Sequence, residues 1–230
     1  PEIVKTLAER LGETRSRISE ECLKLVRIEP TLIVVTKNHP VSLASALFDL
    51  GERNFGENRV QEAAPKASEL AERTGNEAAK WHLIGQLQTN KVKQAVQFAD
   101  SIQSLDRDAL LVELAKRTID RTMPLEVFIQ INLTSDEERG GLPEAQLMHF
   151  ASRVVATPTL ELVGLMAVAS LEAEPEADFE RMARMSQRLQ QEHKTATGLS
   201  IGMSNDYLQA LQFGATHLRI GTAITGNRQY

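Results

Sequence analysis

Apolar residues in the first segment fall at Ile3, Leu7, Leu11, Ile18, Leu23 and Val26, a spacing that lays out one face of a long helix. After Pro30 the texture changes. Leu32-Ile33-Val34-Val35 is a short β-branched run between polar residues, the pattern of a strand covered on both faces. From there the chain alternates. Strands are predicted at 32–36, 53–55, 81–84, 101–105, 125–131, 161–166, 199–202 and 217–220. Helical spacing fills the intervals at 41–50, 60–73, 89–98, 106–118, 143–155, 177–192 and 205–213, and the last strand runs into a Gly-rich tail.

Strand–helix alternation implies parallel strands joined by crossover helices. Eight such units in a chain of 230 residues suit a closed (β/α)8 TIM-type barrel, with the segment 1–29 as an extra N-terminal helix packed on it. The expected organisation is one domain over residues 1–230. An open doubly wound sheet is the competing arrangement. Its mark would be a Gly-rich turn after the first strand, and Thr36-Lys37-Asn38-His39 stands there instead. The acidic stretch 173–178 reads as a solvated loop.

Charge narrows the function classes. With 26 Lys+Arg against 31 Asp+Glu and no basic block, the chain lacks a nucleic-acid footprint. No apolar run is long enough to span a bilayer, and residues 1–15 carry no apolar signal core. The single cysteine, Cys22, can form no intrachain disulfide and reads as a small packing residue. A reducing, cytoplasmic location is expected. His39, His149, His193 and His217 show no metal-ligand spacing with each other or with carboxylates, and no strained nucleophile elbow occurs.

In a barrel the chemistry gathers at the C-terminal ends of the strands. Ser200-Ile201-Gly202-Met203-Ser204 precedes the helix predicted at 205–213, so hydroxyls and free amides meet at a helix N-terminus, an anion site. Gly221 and Thr222 add a close-approaching backbone and another hydroxyl after the eighth strand, where barrels frequently bind phosphate. Lys37 ends an otherwise apolar strand. Its amine is expected in the barrel mouth, where desolvation would favour the neutral, nucleophilic form. A lysine beside a phosphate cradle is the minimum set for a phosphorylated aldehyde cofactor, pyridoxal 5'-phosphate above all. Arg219 could then face the ring nitrogen. His82 reads as a hydrogen-bonded core residue, Trp81 as a packing anchor, and Met182 and Met185 as helix-core positions.

The chain also resembles a known family. Val34-Val35-Thr36-Lys37, Phe55-Gly56-Glu57-Asn58-Arg59-Val60-Gln61-Glu62 and the run from Trp81 to Lys91 are similar to the pyridoxal phosphate homeostasis protein family. So are Gly164-Leu165-Met166-Ala167, the run from Leu199 to Ser204 and Arg219-Ile220-Gly221-Thr222-Ala223-Ile224, in order from Leu32 to Gly226. The resemblance implies a fold-type III barrel like the N-terminal domain of alanine racemase. It implies a cofactor held as a Schiff base, and a part in vitamin B6 homeostasis without established turnover. It makes Lys37 the Schiff-base lysine and Asn58 a neighbour of the cofactor, and sets Met166 and Met203 along the ring. Ser200, Ser204, Gly221 and Thr222 would hold the phosphate, and Arg219 would face the pyridine nitrogen.

Three departures stand out. Lys37-Asn38-His39-Pro40 lacks the second lysine of a Lys-Thr-Lys-Pro motif, and Glu138-Arg139-Gly140-Gly141 replaces a lysine-bearing loop. Ile224-Thr225-Gly226 replaces Ile-Phe-Gly. The first two speak against lysine-to-lysine transfer of cofactor; the third touches packing only. A carrier or regulator serving PLP-dependent apoenzymes, monomeric and free of nucleic acid or membrane, is the leading expectation. The alternatives are an amino-acid racemase or decarboxylase, and a barrel for some other sugar or nucleotide phosphate.

Overall fold

A computed structural model describes residues 5–75, 79–171 and 173–227. Eight parallel strands close on themselves in sequence order: β1 (Thr31–Val35), β2 (Asn54–Glu57), β3 (Lys80–Leu83), β4 (Ser101–Leu105), β5 (Leu125–Gln130), β6 (Leu160–Met166), β7 (Gly198–Ser200) and β8 (His217–Ile220). β8 returns to β1, with Thr31 opposite His217 and Val34 opposite Ile220. The ring is formed by helices α1 (Leu7–Lys24), α2 (Val41–Asp49), α3 (Val60–Thr74), α4 (Val92–Phe98), α5 (Asp108–Arg117), α6 (Leu147–Val155), α7 (Pro175–Glu192), α8 (Tyr207–Gln212) and α9 (Thr222–Thr225). The barrel, not the open sheet, is the architecture.

Side-chain alternation sorts each strand into two sets. Leu32, Val34, Phe55, Leu83 and Leu218 belong to the shell between sheet and helices, the main apolar core. Ile33, Val35, Phe128 and Met166 are buried too, yet stand apart from that shell, inside the barrel. The interior side of β2 confirms the parity: a Cβ on Gly56 would meet Ile33 at 3.0 Å and Val35 at 3.4 Å.

α1 begins at a capping box, with Thr6 Oγ1 accepting from the Glu9 N–H at 3.2 Å and Glu9 accepting from the Thr6 N–H at 2.7 Å. Its buried face is Leu11, Thr14, Ile18 and Cys22. Leu23 and Val26, expected on that face, are exposed: Leu23 lies inside the helix but one position round from the buried Cys22, and Val26 follows the helix end at Lys24 and turns away at a φ of 50°. Ile3 lies outside the described residues. Arg10 fastens α1 to the far end of the chain by donating to the Ile224 carbonyl at 2.6 Å and the Thr225 carbonyl at 3.2 Å.

Two further expectations change. The stretch 173–178 is not simply a solvated loop: α7 starts at Pro175, and Asp178 is buried, accepting from the Ser170 N–H at 2.7 Å. The tail after β8 is also not featureless, since it folds directly into α9.

Candidate functional site

The C-terminal mouth collects most of the candidates. Lys37 continues the inward set of β1, two residues beyond Val35, where the strand ends. Its side chain is exposed, so the desolvation expected of a strand-end lysine is not present. The neighbouring strand delivers Gly221 against the same place, where an added Cβ would lie 3.5 Å from Val35 Cβ. Lys37 and the α9 turn therefore share one side of the mouth.

The β7 loop completes that side. Gly202 adopts a φ of 98°, in the left-handed region that favours glycine, and its carbonyl accepts from the Arg219 N–H at 3.0 Å. Beyond it the Met203 N–H donates to Asp206 Oδ1 at 2.7 Å. Ser204 then reaches across to α9, its Oγ accepting from the Ala223 N–H at 3.2 Å. First-turn N–H groups of a helix have no intrahelical acceptor, so with Ala223 satisfied the Thr222 N–H remains for another oxygen. Ser204, Gly221 and Thr222 thus form one small polar corner.

Ser200 does not join them. It is fully buried, donates to Gln103 Oε1 at 2.7 Å, and accepts from Arg219 Nη1 at 2.7 Å. The contact with Gln103 crosses the barrel from β7 to β4. It extends into a buried polar belt, since Gln103 Nε2 lies 3.5 Å from His82 Nδ1 and His82 Nε2 lies 2.9 Å from Asn54 Oδ1. Ser200 is spent inside this belt, and the phosphate role expected of it is withdrawn.

Arg219 is the belt's cationic end. Nη1 also donates to the Ser200 carbonyl at 2.8 Å and Nη2 to the Ala167 carbonyl at 2.9 Å. These bonds use three of its five N–H donors. Burial lowers its pKa to about 10, leaving it cationic at neutral pH, and Asp206 opposes that shift. It is no surface ion-pair residue. Burial also lowers His82 to about 3 and His217 to about 4, so both are neutral core histidines.

Asn58 follows β2, half-buried, and its backbone lies so close to the β3 loop that a Cβ on Gly85 would sit 2.5 Å from the Asn58 carbonyl oxygen. Met166 is wholly buried at the end of β6, whereas Met203 is substantially exposed on its loop. Next to Asn58, a cavity of about 290 Å³ opens between the β3 and β5 loops, lined by Gln86, Gln130, Asn132, Thr134 and Arg139. Asn132 staples the β5 loop by donating to the carbonyls of Asp136 at 2.9 Å and Arg139 at 3.2 Å. Trp81, as expected, packs in the shell, 5.2 Å from Phe55. A groove of about 470 Å³ between α3 and α4 lies outside the mouth and is lined by Ala64, Ala67, Gln94 and Gln97 among others, with no cation among its lining residues.

Sequence reasoning missed Asn54, Gln103 and Asp206. Their one signal is polarity inside or beside apolar strands. Among the described residues, no group of three or more His, Cys, Asp or Glu is gathered to hold a metal ion, and no helix is long and apolar enough to cross a membrane.

Residues 19–229 match the family described as alanine racemase, N-terminal domain, which defines the class of barrel. Alanine racemase of Clostridium difficile 630 shares the fold alone, with a TM-score of 0.70 at 12% identity over 96% of this chain and 58% of that one. Nearer relatives exist. The pyridoxal phosphate homeostasis protein of Escherichia coli strain K12 is 36% identical over 229 residues, covering 97% of each chain. PipY of Synechococcus elongatus, solved with PLP bound, is 34% identical with a TM-score of 0.83, over 95% of this chain and 99% of that one. The chain belongs to the pyridoxal phosphate homeostasis protein family.

Proposed function

We propose that the barrel mouth binds pyridoxal 5'-phosphate and that the protein serves vitamin B6 homeostasis as a carrier or regulator of the cofactor. The observation that carries this reading is that Lys37 follows β1 directly beside the strand leading into the Ser204–Ala223 clasp: β8 pairs with β1, Ile220 opposite Val34. A primary amine and a corner of unspent donors suit the two ends of a phosphorylated aldehyde. In this reading Ser204, Gly221 and Thr222 hold the phosphate, and Asn58, Met166 and Met203 flank the ring. Arg219 faces the pyridine nitrogen, oriented by Ser200. When bound, the cofactor supplies an electrophilic carbonyl carbon for the Lys37 amine.

The same geometry favours holding over turnover. Arg219 can only donate and remains cationic, so it disfavours protonation of a nitrogen placed against it and weakens the electron sink that carbanion chemistry uses. A second base is not supplied by Tyr207, which is buried in the shell, and Tyr230 lies outside the described residues. Monomeric behaviour and delivery to PLP-dependent apoenzymes belong to the same proposal. The test pairs a spectrum with an exchange assay. Purified protein given the cofactor should develop a visible band, and in deuterated water it should leave the α-proton of L-alanine in place. Exchange at roughly 1 per second or faster, an ordinary enzyme rate, would replace this reading with the racemase one.

A further inference from the structure

On the helix side of the same strand end lies a second group of charges, Glu57 and Lys66 buried and Glu62 part-exposed at its rim. Glu57 ends β2 on the parity of Phe55, which packs in the shell, so it faces α3 rather than the barrel interior. It is fully buried, and Oε1 accepts from Thr36 Oγ1 at 2.6 Å and from Lys66 Nζ at 2.7 Å. Lys66, buried on α3, also donates to the Thr36 carbonyl at 3.0 Å and to Glu62 Oε1 at 2.9 Å. Glu62 Oε1 in turn accepts from the Asn38 N–H. Asn38 has a φ of 65°, and its turn is closed by the His39 N–H donating to the Thr36 carbonyl at 3.1 Å.

The two backbone groups gripped here are not arbitrary. The Thr36 carbonyl belongs to the peptide bond entering Lys37, and the Asn38 N–H belongs to the peptide bond leaving it. Stability alone gives little reason for such a cluster, because packed apolar residues often serve as well as a buried ion pair. We propose that Lys66, Glu57 and Glu62 are positioning residues for Lys37: by fixing both peptide groups that flank it, they aim its amine at an aldehyde held from the β7–β8 side of the mouth. This rests on the cofactor reading above. The shared Glu62 oxygen couples the two grips, so loss of either Lys66 or Glu62 should loosen both.

The test compares two ligands in the full-length protein: pyridoxal 5'-phosphate, and its analogue with a methyl group in place of the aldehyde. The analogue needs the ring and phosphate contacts but not Lys37. Lys66→Met and Glu62→Ala should each weaken the aldehyde ligand roughly tenfold or more, the scale at which a misplaced reacting group is felt. Both should leave the analogue's affinity unchanged; Glu62→Ala should also leave the melting temperature of the ligand-free protein in place, whereas Lys66→Met, which strands the buried Glu57 carboxylate, should lower it. Glu62→Gln, which keeps an acceptor for the Asn38 N–H, should restore aldehyde binding. Equal losses for both ligands, or no loss for either, would overturn the proposal. Should Lys66→Met fail to fold, Glu62→Ala on the part-exposed rim decides the matter. A wild-type protein without any visible band sinks the cofactor reading itself, a result distinct from variants that behave like a band-forming wild type.

Discussion

Ser200 and Ser204 lie four positions apart on one strand-to-helix connection, and the barrel treats them in opposite ways. Ser200 sits in the interior belt, where every contact is protein to protein and its hydroxyl both donates and accepts. Ser204 sits at the mouth, where it makes one contact with a helix that begins with unspent donors. Asn54, His82, Gln103, Ser200 and Arg219 form a fixed polar floor. Lys37, Asn58, Met203, Ser204 and Thr222 form a rim with capacity to spare. In the proposed reading the rim takes the ligand while the floor, Arg219 apart, supplies rigidity, so substitutions in the two regions should fail in different assays.

The largest effect is expected at the rim. Lys37→Ala should abolish the visible band of the protein–cofactor mixture while leaving the unfolding midpoint in urea at its wild-type value, since an exposed side chain leaves no cavity. A surviving band would move attention to Lys91, half-buried in the turn after β3.

The floor should show itself through pH. Burial holds His82 at about 3 and His217 at about 4 against 6.5 when free. The unfolded chain therefore binds protons that the native chain refuses, so this contribution is complete above the free value and is lost as pH falls toward the native ones. Each pH unit below 6.5 should cost up to about 1.4 kcal/mol per histidine. Urea titrations at pH 7 and pH 5 measure it; equal stability at the two would mean that His82 and His217 are not held neutral.

Next comes Ser200→Ala, which leaves Gln103 Oε1 and an Arg219 N–H without their partner in a buried space. Unfolding free energy should drop by about 1 to 3 kcal/mol. Of the same size, but read in ligand binding rather than in stability, are Ser204→Ala and Thr222→Ala. Each should weaken pyridoxal 5'-phosphate by about 1 to 3 kcal/mol, with little change in stability. Calorimetry with unphosphorylated pyridoxal should show wild-type affinity in both, and equal losses for the two ligands would remove phosphate contact as the cause.

Much of the barrel was legible because parallel strands buried on both faces read as apolar runs, and Leu32-Ile33-Val34-Val35 is the plainest of them. The end of α1 was not, because Val26 keeps an apolar spacing after the helix has stopped at Lys24, and Leu23 is apolar on its exposed side. α9 was hidden by its length, with only four residues between Gly221 and Gly226. At the candidate site, Lys37 and the β7–β8 loops could be placed at the barrel mouth from position alone. Ser200 could not be separated from Ser204 that way, since its partner Gln103 is 97 residues distant in the chain. Lys66 goes unmarked in the sequence; only the fold pairs it with the buried Glu57.

The central claim, that Lys37 is the residue joined to the cofactor at this mouth, is tested most directly by trapping. Wild-type protein mixed with pyridoxal 5'-phosphate is reduced with borohydride, digested, and the labelled peptide sequenced by mass spectrometry. The account predicts a single labelled site, Lys37. A label on Lys91 or spread over surface lysines, or no label at all, would contradict it.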